Sequence, residues 1–122
     1  MEKEDVRELK TDVVFAGRTY FCALELALEL IGGKWKMMLL YHLRNGTLRS
    51  SELQRRMRGI SGKMFTQTAR ALEKEGLVAR EIFPVIPPRV EYSLTPAGET
   101  AIPVIMQVGY WGEAVAVLGC PE

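Results

Sequence analysis

Between Lys34 and Leu43, Trp35, Met38, Leu39 and either His42 or Leu43 recur on one side at helical spacing. The preceding CALELALELI (22–31) is rich in Ala, Leu and Glu, all good helix formers, and Gly32-Gly33 separates the two segments. Gly46 reads as the cap that ends the second helix. Ser51 followed by Gln54 fits a capping box, so a short helix is expected to start there, with Leu53 and Met57 facing inward. RGIS (58–61) is a turn. Ser61 then opens a longer helix that Gly76 stops. Beyond Gly76 the period changes. LVAREIFP reads as a strand, VIPP as a turn, and RVEYSL alternates Val90, Tyr92 and Leu94 against Arg89, Glu91 and Ser93. The result is a hairpin with a stiff tip.

Thr95-Pro96 starts the last helix, about 96–118, with an N-cap residue followed by proline. This helix is apolar on two sides. Ile102, Ile105, Met106 and Gly109 share one, and Val104, Val108, Trp111 and Val115 another. A second copy of the chain is the natural cover, and Pro103 is expected to kink the helix near its start. Residues 3–10 read as a short charged helix. No apolar run reaches the roughly 18 residues of a membrane span, and the charged start lacks the apolar stretch of a signal peptide. The expected class is mainly α with a small β-hairpin wing (α+β), as one domain over 1–122. Its parts are an N-terminal arm or helix (1–20), a core (21–95) and a terminal helix (96–118).

SGKMFTQTARALEKEG (61–76) raises the functional question. At about 100° per residue, Thr66, Gln67, Arg70 and Lys74 fall within about 60° of Lys63, while Phe65, Ala69 and Leu72 fall opposite. Lys, Arg, Gln and Thr are the side chains that bond base edges and phosphates. A solvated helix face would carry similar residues. Context favours the first reading, because a short helix, a tight turn and a longer helix form a helix-turn-helix, and the hairpin makes it winged. Arg55, Arg56 and Arg58 stand beside the turn, where phosphates would pass.

Charge sharpens this. The net charge is +1, yet residues 44–81 hold nine Lys/Arg against four Asp/Glu. Residues 1–12 hold three against five, and 82–122 hold one against four. A locally anionic partner fits such a distribution. An enzyme does not fit the residues. His42 is the only histidine, Gly32-Gly33 lacks a phosphate-binding pattern, and the two cysteines, Cys22 and Cys120, have no metal spacing. No cofactor or metal is therefore expected. Cytoplasmic placement with reduced thiols is the default.

IGGKWKMMLLYHL, SSELQRRMRGISGKMFTQTARALEKEGLVAREIFPVIPPRVEYSLTPAG and WGE together resemble the HxlR-type winged helix-turn-helix transcriptional regulators of bacteria and archaea. The resemblance runs unbroken over about residues 20–113. It implies binding of double-stranded DNA by a homodimer whose two recognition helices read successive major grooves, with repression the commoner mode. It places the recognition helix on Ser61–Glu75 and the wing on Pro84–Arg89. With the residue reading, the DNA-contact candidates are Arg49, Arg55, Ser61, Lys63, Thr66, Gln67, Arg70, Lys74 and Arg89. Arg89 has an alternative reading as a solvent-facing strand residue. The terminal helices would form the dimer interface, through Ile102, Ile105, Met106, Val108 and Trp111. Cys22 matches a position where some members sense oxidants, electrophiles or aldehydes. Its alternative is a small buried hydrophobe, and Ala23 follows it where proline is common. Cys120 reads as an exposed bystander. A small-molecule effector would lodge between the terminal helices. The competing class is a winged helix used for protein contact, for which the cationic stripe would not be needed.

Overall fold

The computed structural model describes residues 6–119, and Cys120 lies outside them. The chain divides into two compact units, residues 1–32 and 33–122.

In the first unit, strands β1 (Thr11–Phe15) and β2 (Arg18–Cys22) form an antiparallel hairpin that leads into helix α1 (Ala23–Ile31). The hairpin replaces the expected N-terminal arm or helix, and residues 6–10 are not helical. Ala16 and Gly17 both have positive φ, 52° and 78°, the geometry that matches the twist of a two-residue hairpin. Cys22 is the N-cap of α1, and Phe21 N–H donates to Glu25 Oε1 at 2.6 Å.

The second unit contains helices α2 (Lys34–His42), α3 (Ser50–Arg56), α4 (Gly62–Lys74) and α5 (Pro96–Leu118). Strands β3 (Leu48–Arg49), β4 (Val78–Phe83) and β5 (Arg89–Leu94) form a sheet in the order β3-β5-β4. All neighbours are antiparallel, with Val78 opposite Leu94 and Phe83 opposite Arg89. The core draws Leu39, Leu40 and Leu43 from the α2 segment, Leu53 and Met57 from α3, and Phe65, Ala69 and Leu72 from α4. Full burial of each large side chain contributes about 1.5–3 kcal/mol. Phe65 meets Tyr92 edge to face, with ring centroids 6.1 Å apart, which fixes α4 against the sheet. This is a winged helix-turn-helix, mainly helical with a small wing.

Several local expectations are corrected. Leu43 caps α2, and Gly46 lies in the turn beyond, its N–H bonded to Leu43 C=O. The capping box at Ser51–Gln54 does not form. Arg49 is the N-cap of α3, because it is held extended in β3 opposite Glu91, and the helix therefore begins at Ser50. Ser61 does cap α4, accepting from Met64 N–H at 3.0 Å. Thr95 Oγ1 accepts from Gly98 N–H at 3.0 Å and donates to Gly76 C=O at 2.6 Å, which ties the start of α5 to the end of the α4 segment. Helix α5 continues through Pro103, where one backbone donor is missing. Its length and composition are those of a membrane span, with a window of mean hydropathy 1.4, which overturns the expectation that no apolar run was long enough. Its Ile105, however, is buried on the side that packs against α2.

Candidate nucleic-acid interface

Helix α4 buries Phe65, Thr68, Ala69 and Leu72 and exposes Lys63, Thr66, Gln67, Arg70 and Lys74, as its periodicity requires. Among the described residues, Lys63, Gln67, Arg70 and Lys74 have no hydrogen-bond or ion-pair partner. The acids of this helix lie elsewhere and are engaged. Glu73 pairs with Arg80 at 3.3 Å, and Glu75 pairs with Lys36 at 3.3 Å. One face of α4 therefore presents uncompensated cations and an amide, while the carboxylates tie the helix to its neighbours. Ser61 is exposed at the head of this face, with its hydroxyl oxygen already serving as the cap.

The flanking cations differ in availability. Arg55 and Arg56 both bond Glu52, Arg56 at 2.8 Å, so this trio carries one net positive charge. Arg58 is exposed just past α3. Arg89 stands at the base of the wing, not at its edge. Its guanidinium lies 4.3 Å from the centre of the Phe83 ring, and its Nε is 3.2 Å from Glu91 Oε2. Arg49 and Arg89 line one groove of about 640 Å³ between α3 and the wing, together with Ser50, Ser51 and Gln54. These three polar residues were not among the sequence candidates, and their only signal was a polar run at a helix start. The wing tip is apolar, with Ile86 fully exposed and Val85 half exposed.

The remaining candidates are dispersed. Cys22 is a half-buried free thiol in the first unit, and its side chain makes no capping bond to α1. The apolar sides of α5 behave differently from each other. Ile105 is already buried within the chain, which makes it core, not free interface, and Ile102 and Met106 are half buried. Val104, Val108, Trp111 and Val115 are exposed, Trp111 by 70%. His42 is half buried, and burial, then Arg56 and Arg44, push its pKa below the usual value.

The model of the HxlR-like helix-turn-helix family matches residues 30–117. An HTH-type transcriptional regulator of Methanothermobacter thermautotrophicus is 47% identical over 94 residues, covering 77% of this chain and 72% of that protein. The HTH-type transcriptional regulator YtfH of Escherichia coli is 38% identical over 116 residues, covering 95% of this chain and 86% of that one. Among solved structures, the redox regulator HypR in its oxidized form has a TM-score of 0.72 and 44% identity, over 76% of this chain and 96% of that one. The reduced form of the transcriptional regulator YodB from B. subtilis has a TM-score of 0.66 and 29% identity, over 76% of this chain and 92% of that one.

Proposed function

The chain belongs to the HxlR-like helix-turn-helix family of transcriptional regulators, and on that premise we propose that it is a cytoplasmic, homodimeric repressor that reads a palindromic operator through α4. The observation that carries this reading is the exposed, uncompensated stripe of Lys63, Thr66, Gln67, Arg70 and Lys74. Laid in a major groove, Gln67 and Arg70 would select bases, and Lys63 and Lys74 would meet phosphates. Arg49 and Arg89 flank a groove into which the adjoining DNA backbone would fit. The exposed outer side of α5 supports the dimer, since large apolar patches are rarely left to water. A two-fold dimer calls for half-sites about one helical turn apart, near 10 bp.

The reading includes a redox response at Cys22, supported by its place as N-cap of α1 and by the likeness to the redox regulator HypR. Selection of bound sites from random duplex DNA, with and without peroxide, tests the whole. An enriched palindrome supports a dimeric sequence reader, and its loss with peroxide supports the thiol response. No enrichment in either condition, with no DNA affinity at low salt, would instead favour a protein-binding winged helix.

A further inference from the structure

Two motifs of this chain are left unused by the DNA face: GGKW at 32–35 and WGE at 111–113. Lys34 of the first and Glu113 of the second line one groove of about 400 Å³ between α2 and α5. Met38, Tyr41, Met106 and Val108 supply much of its apolar wall. Lys34 and Glu113 are the only charged residues lining it, and both are exposed. They form no ion pair with each other, and Lys34 Nζ lies instead 4.6 Å from the Trp35 ring centre. The apolar surface continues out of the groove. Val108 belongs both to its wall and to the exposed stripe Val104, Val108, Trp111 and Val115.

We propose that a second copy of this chain fills the groove with its α5, in a two-fold contact where Lys34 of each protomer meets Glu113 of the partner subunit. This rests on the dimer reading above and supplies its contact and register. A two-fold interface uses the same patch on both protomers, so the patch must complement itself. One cation and one anion around an apolar wall do so, and the same pair forms twice. A small effector with one charge would leave either Lys34 or Glu113 unmatched. It would also leave bare the stripe from Val104 to Val115, which is roughly 16 Å long at 1.5 Å per residue. The contact has a consequence for DNA. Helix α2 carries both Lys34 and Lys36, and Lys36 bonds Glu75 at the end of α4. The pair at Lys34 thereby helps set the separation of the two recognition helices.

The test is sedimentation equilibrium on the full chain, with circular dichroism to verify folding of each variant. Wild type should dimerise. Lys34→Glu and Glu113→Lys should each raise the dimer dissociation constant about tenfold or more, because each sets like charges against one another. Mixing the two single variants should restore association, since the heterodimer places opposite charges at both contacts. The double variant should recover it as well. Rescue on mixing separates a contact between protomers from one within a chain. A dimeric wild type whose single variants associate equally well, or are not rescued by mixing, overturns this pairing and leaves the dimer reading standing. A monomeric wild type overturns both.

Discussion

Lys36 Nζ on α2 lies 3.3 Å from Glu75 Oε1 and 3.4 Å from Glu75 Oε2, where Glu75 caps the C-terminus of α4. Both side chains are only 22% exposed. The cation also complements the partial negative charge of the α4 C-terminus. The bond thus locks the last turn of the candidate recognition helix to the first helix of its unit. Removing one partner strands a partly desolvated charge. Lys36→Met is expected to lower stability by about 1–2 kcal/mol, between the values for exposed and fully buried pairs. Urea denaturation measures this. The double variant Lys36→Met/Glu75→Met should recover most of the loss, and a double variant weaker than the single would show that the charges are needed for more than pairing.

The stripe on α4 contains two kinds of contact that separate by measurement. Arg70→Ala should weaken operator binding by about 1–3 kcal/mol while leaving affinity for scrambled duplex much less changed. Lys63→Ala should weaken both alike and reduce the salt slope by about one. Fluorescence anisotropy over a salt series reads both quantities. Equal losses on both duplexes for Arg70→Ala would reassign Arg70 to phosphate.

How far the molecule is legible in its sequence depends on the signal each element sends. Helix α4 was plain because Ser61, Gly76 and a clean apolar face agree, and β5 because Val90, Tyr92 and Leu94 alternate. The β1–β2 hairpin was hidden because its turn is Ala16-Gly17, where Asn-Gly would have announced it, and because a charged run precedes it. Strand β3 has two residues, too few for any period, yet it decides where α3 starts. Periodicity revealed that α5 is apolar on two sides. Only packing could tell that Ile105 is core while Trp111 stands in solvent. The sequence also placed Arg55 among free cations, because helical spacing to Glu52 alone does not say that two arginines share one carboxylate.

Gly98 is required by a close approach. A Cβ there would collide with Leu77 C=O, in the backbone that joins α4 to the wing. Gly98→Ala must therefore push α5 away from the sheet, despite the better helix propensity of alanine. The expected cost is about 1–3 kcal/mol, as for other overpacked sites, read from the thermal or urea midpoint. An unchanged midpoint would mean that this junction yields easily.

His42 gives the unit a pH dependence of defined sign. Its Nε2 is sealed from solvent without a hydrogen-bond partner among the described residues. Burial first, then Arg56 and Arg44, hold its folded pKa below the usual 6.5. As pH falls through that value the unfolded chain takes up the proton first, so stability is lost from about pH 6.5 downward. Above it this group adds no slope. His42→Leu should flatten that part of the stability profile, since it removes both the titration and the unmatched ring nitrogen. A profile equally steep in the variant would assign the slope to other groups.

Cys22 is the N-cap of α1 but makes no capping bond, and this makes serine an informative replacement. A serine hydroxyl at an N-cap bonds backbone N–H groups more strongly, so Cys22→Ser should keep or slightly raise stability. Oxidation of Cys22 by peroxide would yield a sulfenic acid at the entrance to α1, larger and more polar than the thiol. If that change signals to DNA, wild-type binding should fall with peroxide, and the Cys22→Ser protein should bind operator equally with and without it. A variant that still loses DNA on oxidation would move the response to another oxidisable group, with Cys120 first to be replaced.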